Sequence, residues 1–574
     1  MVKQAATPAP TPLPGAGQPA VVPETAARSS ANMAVGTLAS RVLGFIKGIL
    51  LGVAVAGSQV AGIFDTANNV PNIIYLLVAG GVFNAVLVPQ VIKASKQPDK
   101  GADYISRLLT LAVIVLFGVT ALITIAAGPI MTLLTADYSG AQLKLATAFA
   151  TLLLPQIFFY GLFALLGQVL NAHGSFRAYA WSPVVNNIVA ILGLVTFIAV
   201  AGSNAAAPHS VENWTPTQTF ILAGSATAGI LVQSAVLLWP LKKLGLRLRP
   251  RFGWRGVGLG ATGKVAAWTM GTMVVGNLTF LLIGKIATIP TGSLADGTVP
   301  EGQGIATSFE LSRATEVYIL PHSVVALSIA TVLFTRMARS AANHDGDGLS
   351  ASLSHGLRTA GVATVFGAIA LLVLCGQFGM LFSSSSRHSA LLIATTLAIL
   401  ALGSPFLSAN FMMNRAFYAA ENAKTPFIIQ SLLVVFGIGT ALLAALLPAH
   451  LIIFGLALSY TLGNVVAVVV THFFLRARLG NYGGAAIMRA HLRFLCAAVM
   501  AGLIGAGVLW LLGGFSLAGF AWRSIYAAAL VLAVVGLAMA AVYFVALRLF
   551  RATELNDFLD PLLGKLRGRL PGLR

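Results

Sequence analysis

Residues 104–135 read YISRLLTLAVIVLFGVTALITIAAGPIMTLLT, and no residue after Arg107 in that run is charged. About 20 mainly apolar residues in a helix cross the roughly 30 Å of hydrocarbon in a bilayer. One such run makes a membrane helix, and working outward from it produces more. Comparable runs fall at 32–57, 60–94, 143–171, 181–202, 217–240, 257–289, 306–337, 355–384, 389–420, 425–447, 450–475, 491–512 and 523–548. The expected fold is therefore an all-α integral membrane protein with about fourteen transmembrane helices.

The totals agree. The chain of 574 residues is 57% hydrophobic and only 9% charged, with a mean hydropathy of +0.87. That leaves too few polar groups to cover a particle in water, which excludes a soluble enzyme. The 59 glycines suit helices held by close contact, because lipid removes the hydrophobic drive between them. A net charge of +20 raises the question of nucleic acid, but the basic residues sit in short segments between apolar runs. That placement is how positive charge sets membrane topology and meets anionic lipid, so no nucleic acid is expected as a partner. Cys375 and Cys496 are far apart and each lies within an apolar run, which argues against a disulfide framework or a zinc site. No metal is expected.

Orientation follows from Lys and Arg in alternate loops. Lys242, Lys243, Arg247, Arg249, Arg251 and Arg255 crowd the 241–256 loop, Lys96 and Lys100 the 95–103 connection, and Arg476, Arg478 and Arg489 the 476–490 loop. These face the cytoplasm. Loops 203–216 and 290–305 lack Lys and Arg and carry Glu212, Asp296 and Glu301, so they belong outside. An even number of crossings puts both termini in the cytoplasm: an Ala/Pro/Thr-rich disordered tail at 1–31 and a basic tail at 549–574. Laid on itself with a shift of about 246 residues, the chain matches weakly but repeatedly. Val86-Leu87-Val88 falls on Val332-Leu333-Phe334, and the Pro155 helix falls near the Pro405 helix. Two pseudo-repeated six-helix lobes, 32–250 and 257–478, then face each other, with an extra helix pair at 491–548.

Two nucleotide-like strings are set aside. Gly258, Gly260 and Gly263 fit G-x-G-x-x-G, and Gly258 to Lys264 begins a P-loop, but Val265 stands where Mg²⁺ needs a hydroxyl and no strand precedes the string. Asp345 and Asp347 lack the remaining oxygen ligands of a calcium loop and read as a solvated cytoplasmic segment.

Ionisable residues inside apolar runs are the informative ones, since a charge at mid-bilayer costs about 2.5–3.5 kcal/mol and tends to face protein or water. Arg41 and Lys47 lie in the first helix beside Gly44, Gly48 and Gly52, a stripe that admits a close neighbour. Arg41 either snorkels to the headgroups or joins Lys47 in a cavity. Glu310, Arg313 and Glu316 recur every third residue, a spacing suited to ion pairs that could be structural or functional. Pro321 and His322 follow, marking either a hinge or a fixed kink. Asp65, with Asn68, Asn69 and Asn72 before and after Pro71, gives the second helix a polar broken start. Lys264 and Lys285 read as snorkelling residues, and Glu421 as a partner for Arg415 or Lys424.

At Ser40-Arg-Val-Leu-Gly-Phe45 the chain begins to resemble the MurJ/MviN family of lipid II flippases, within the multidrug/oligosaccharidyl-lipid/polysaccharide exporter superfamily. Pro71-Asn-Ile-Ile-Tyr75 running to Pro89, Leu320-Pro-His running to Phe334, and Arg415-Ala-Phe-Tyr-Ala419 running to Pro426 carry the same resemblance, which covers about residues 35–548. It implies a V-shaped pair of six-helix lobes, two added helices lining a lipid groove, and export of undecaprenyl-diphosphate-linked cell-wall precursor in a bacterial plasma membrane. Tyr75, Gly80 and Glu316 depart from the better-known members, which carry an Arg, an acidic residue and a basic residue there; the chain resembles the actinobacterial branch.

The expected function is therefore a lipid II flippase working by alternating access, a transporter and not an enzyme, with no cofactor. Arg41, Lys47 and Arg313 would bind diphosphate, and Asn68 and Asn72 sugar or peptide. Asp65, Glu310, Glu316 and Pro321 would gate or couple to Na⁺, H⁺ or membrane potential. Lipid II, membrane lipids and cell-wall synthesis proteins are the expected partners. Alternatives are export of another lipid-linked polysaccharide, cation-coupled drug antiport, or a membrane scaffold for cell-wall enzymes.

Overall fold

The computed structural model of the protein describes residues 24–76, 101–173, 175–244, 249–253, 264–294, 304–383 and 386–556. Every regular element among them is helical. A bilayer demands this, because backbone N–H and C=O groups must find partners within their own segment where water is absent.

Helices α1 (Glu24–Val55) and α2 (Gln59–Tyr75) precede α3 (Ala102–Ile125), α4 (Ala127–Leu134), α5 (Gly140–Leu153), α6 (Gln156–Ala172), α7 (Phe176–Ala201), α8 (Pro216–Ala235) and α9 (Leu238–Lys243). A second series comprises α10 (Lys264–Ile286), α11 (Ile289–Ser293), α12 (Ser308–Tyr318), a π turn (His322–Ala326), α13 (Leu327–Ala342) and α14 (Gly346–Phe382). It continues through α15 (Arg387–Ala401), α16 (Ser404–Ala419), α17 (Lys424–Ala445) and α18 (Ala449–Leu479) to α19 (Gly484–Leu511) and α20 (Ile525–Leu549).

Among the described residues ten helical stretches are long and apolar enough to cross a membrane, eleven if α15 and α16, bent by 44°, make one crossing. The other runs expected to cross fall on α2, on α10 with α11, and on α12 to α13, where a π turn interrupts the helix. The rest of the run 60–94, including Gly80 and Val86 to Val88, lies outside the described residues, as do the glycine string at 258–263, Asp296, Glu301 and the basic tail from 557. α1 begins at Glu24, directly after Pro23 and ahead of the apolar run expected from residue 32.

Several helices start where the sequence supplies the caps. Ser139 with Gln142, Thr215 with Gln218, and Thr307 with Glu310 each form a reciprocal capping box at the head of α5, α8 and α12, satisfying backbone N–H groups that have no carbonyl partner in the first turn. Asp345 does the same for α14 by accepting from the Gly348 N–H at 2.8 Å, so the acidic segment read as a solvated loop is a helix cap.

Packing centres on α14, which contacts α1, α12, α15, α16, α19 and α20. The glycine stripe of α1 does admit a close neighbour, but it is divided between two. Gly44 faces Asn187 of α7, whereas Gly48 and Gly52 face Phe382 at the end of α14; a Cβ on Gly52 would lie 1.7 Å from the Phe382 carbonyl oxygen. Phe45 caps that contact with an edge-to-face ring pair to Phe382 at 4.8 Å. The terminal helices are fastened to α14 by the Tyr543 hydroxyl, which donates to the Val362 carbonyl at 2.7 Å while its ring stacks on Phe366. Beyond α20 the chain turns back through Arg551, in a left-handed conformation, and Glu554 pairs with Arg358 of α14 at 2.9 Å.

Candidate functional site

Two helices that are distant in sequence meet through polar side chains inside this apolar body. α2 and α12 pack against each other, and each carries one turn of small or polar residues at the contact. Ser308 Oγ donates to the Gly62 carbonyl at 3.0 Å and lies 3.1 Å from Thr66 Oγ1. One turn further in, Arg313 Nη2 of α12 lies 3.4 Å from Asp65 Oδ1 of α2, with both side chains buried. Asp65 Oδ2 also accepts from Ser312 Oγ at 2.6 Å and from Asn69 Nδ2 at 3.0 Å. Arg313 Nη1 makes a second ion pair with Glu316 Oε2 at 3.0 Å, and Glu316 is half-exposed.

A cavity of about 310 Å³ opens against this cluster, lined by Asp65, Asn69, Arg313 and Glu316 together with Lys285 of α10 and Tyr460 of α18. Its walls come from α2, α10, α12 and α18, so it lies where the first and second halves of the chain meet. A buried arginine paired to two carboxylates presents a fork of N–H donors matched in geometry to a carboxylate or phosphate.

Lys47 of α1 has Glu316 and Arg313 as its charged neighbours, and Gly48 beside it leaves room for them: a Cβ there would meet Glu316 Oε2 at 3.1 Å and Arg313 Nη1 at 3.3 Å. Arg41, nearer the start of α1, donates through Nη1 to Ser323 Oγ on the π turn, and so reaches across to the second series of helices. Pro321 stands immediately before that turn and contacts α14 at Gly367, where a Cβ would lie 2.7 Å from the proline ring. The chain after Pro321, whose ring nitrogen has no N–H to donate, runs on as a π turn.

Some expected roles divide differently. Glu310 does not extend the Arg313 ion pair: its carboxylate accepts from Thr307 N–H and Oγ1 at 2.8 and 2.7 Å and from Ser389 Oγ at 2.6 Å, fixing the start of α12 against α15. Asn69 rather than Asn68 or Asn72 bonds Asp65 and lines the cavity; Asn68 is half-buried and Asn72 exposed. Lys285, read as snorkelling, is a cavity residue. Arg415 lies over the Phe411 ring at 4.7 Å and the Phe334 ring at 5.6 Å. Sequence reasoning had a signal for Asn69, which follows Asp65 by one helical turn, but none for Tyr460 or for the meeting of Asp65 with Arg313.

Residues 50–526 match the model of a family described as lipid II flippase MurJ. The chain belongs to the MurJ family. A probable lipid II flippase MurJ of Rhizobium meliloti (strain 1021) is 28% identical over 511 residues, covering 84% of this chain and 86% of that protein. Its counterpart in Vibrio cholerae is 25% identical over 408 residues, covering 68% and 72%. A solved lipid II flippase MurJ in an inward closed conformation superposes with a TM-score of 0.67 at 19% identity, over 92% of this chain and 99% of that one. An inward-facing multidrug resistance MATE family transporter of the MOP superfamily superposes at 0.56 and 16% identity, over 79% and 94%. The last two likenesses concern the fold.

Within this MurJ-family chain two of the departures noted in the sequence have places, and the third, Gly80, lies outside the described residues. Glu316 is the carboxylate that shares Arg313 with Asp65. Tyr75 packs against Tyr160 of α6 with ring centres 5.7 Å apart. The cationic group of α12 is therefore Arg313, one turn ahead of the position where a basic residue is replaced by Glu316.

Proposed function

We propose that the chain flips lipid II, the undecaprenyl-diphosphate-linked peptidoglycan precursor, from the cytoplasmic to the outer leaflet of the bacterial plasma membrane by alternating access. The observation that carries this reading is the buried Asp65–Arg313–Glu316 cluster at a cavity between the two halves of the chain, with Lys47 beside it. A diphosphate needs cations in a partly dehydrated site, and Arg41, Lys47 and Arg313 supply them along one seam between α1, α12 and the π turn. Asn68 and Asn72 on α2 would meet the sugar or peptide, and Asp65, Glu316 and Pro321 would couple the motion to Na⁺, H⁺ or membrane potential; Glu310 enters this set by anchoring α12 to α15.

The motion proposed is rocking of two lobes, 32–250 and 257–478, with 491–548 as an added pair. Two observations support that division. α5 and α6 break at Pro155 as α15 and α16 break ahead of Pro405. Ser308 Oγ also bonds the carbonyl of Gly62, 246 residues earlier, the same shift that aligns the repeats. Only near a two-fold axis does a residue touch its own equivalent, so α2 and α12 would lie at the axis about which the lobes rock. Both termini lie in the cytoplasm in this reading, and its partners are lipid II, membrane lipids and cell-wall synthesis proteins.

The test is export in cells depleted of their own flippase. Labelled lipid II should become accessible on the outer leaflet when the wild-type chain is expressed, and Arg41→Ala with Lys47→Ala should abolish both that signal and growth. Full export by the double variant would remove these residues from the site, and no export by the wild-type chain would sink the function.

A further inference from the structure

Arg313 is held in a way that leaves it ready to change partners. Its contact to Asp65 is long, 3.4 Å, although both side chains are buried. Its Nε, also buried, makes no hydrogen bond. Asp65, by contrast, does not depend on the guanidinium, because Ser312 Oγ at 2.6 Å and Asn69 Nδ2 at 3.0 Å both donate to its other oxygen. The second partner of Arg313, Glu316, sits at the open side of the cavity with its side chain 45% exposed. Arg313, Asp65 and Glu316 all line that cavity.

We infer that Asp65 is an internal counter-ion that holds Arg313 between transport cycles, and that the diphosphate of an arriving lipid takes the guanidinium from it. The inference rests on the reading of this cavity as the diphosphate site. A lone buried arginine would be costly to keep while the site is empty, and the carboxylate removes that cost. When a diphosphate arrives, the guanidinium turns toward it and brings the unused Nε into play, while Ser312 and Asn69 continue to satisfy Asp65. Return of Arg313 to Asp65 would then help expel the diphosphate. Asp65 competes with substrate for one cation, which makes it a positioning residue that lowers affinity and favours release.

This predicts an unusual sign. The full-length chain in lipid nanodiscs is titrated with undecaprenyl diphosphate, followed by native mass spectrometry. Asp65→Asn keeps the shape and the bonds to Ser312 and Asn69 but removes the charge, and should bind at least about fivefold tighter than wild type, within the usual range of coupling between two ligands. Arg313→Gln should bind more weakly, and the double variant should behave as Arg313→Gln. Outer-leaflet delivery of lipid II by Asp65→Asn should nevertheless be slower, because release is impaired. A purely structural role would make Asp65→Asn weaken binding. Unchanged or weaker binding by Asp65→Asn, with Arg313→Gln impaired, overturns the counter-ion role and leaves the site reading intact. Unchanged binding by Arg313→Gln removes Arg313 from the diphosphate site itself. If Asp65→Asn fails to fold, Asp65→Ser, which also removes the charge and leaves a hydroxyl facing Ser312 and Asn69, carries the same prediction, and its failure to tighten binding is equally decisive.

Discussion

Arg313 and Asp65 are each buried almost completely, so truncating Arg313 leaves the Asp65 charge with only the neutral donors of Ser312 and Asn69, hydrogen-bonded but without its cation. Breaking a buried pair by removing one partner costs about 3–5 kcal/mol. Arg313→Ala should therefore lower the thermal unfolding midpoint of the detergent-solubilised protein clearly, and adding Asp65→Asn should recover part of the loss. Additive losses would show that the two do not interact. Glu310 offers a contrast: it accepts from Thr307 and Ser389, so Glu310→Ala should destabilise by about 1–3 kcal/mol through donors left without acceptors. His209, in the loop after α7, packs between Phe197 and Trp214 and is buried. That burial pushes its pKa below the ordinary 6.5. The unfolded chain then binds a proton that the folded imidazole resists, so stability should fall as pH drops from about 7.5 to about 5. His209→Phe should flatten that slope in a pH series of melting curves. The sequence shows which charges lie inside apolar runs, but a charge does not name its partner. Asp65 and Arg313 are 248 positions apart, and only the folded chain brings them together.

Most helices are legible because lipid imposes one simple rule, a long run of apolar residues. Their interruptions are less so. The expected runs 104–135, 143–171 and 389–420 are each divided in the structure, at Ala126, at Leu154–Pro155 and at Leu402–Gly403. A proline stands at or just after each of these breaks, Pro129, Pro155 and Pro405, yet Pro71 and Pro183 lie within continuous α2 and α7, so proline alone does not decide where a helix breaks. Close approach is decided by the neighbour as well. Gly52 is needed because the Phe382 backbone lies where a Cβ would be, and backbone cannot move aside as a flexible side chain can. Gly52→Ala should separate α1 from the end of α14 and lower the melting midpoint, by about 1–3 kcal/mol as for other overpacked cores. Gly44, where an added Cβ would make only ordinary contacts, is the matching control: Gly44→Ala should leave the melting curve nearly unchanged.

At the scale of the whole molecule, the alternation of lysine- and arginine-rich loops is what would orient the chain in the proposed topology, and the repeat is what would set which helices move together. A transporter of this build works through its membrane body. Removing residues 1–23 and 557–574 should therefore leave growth and lipid II export in flippase-depleted cells close to full length, whereas a scaffold acting through its tails would lose both. The sequence alone determined the membrane-embedded helical class, the family resemblance and the shortlist of buried charges, because hydrocarbon penalises polar groups locally, run by run. Only the tertiary structure decided that Glu310 caps a helix, that Asn69 and Lys285 line the cavity, and that Asp65 shares Arg313 with Glu316. Those assignments depend on distances between segments remote in sequence, which apolar patterning does not encode.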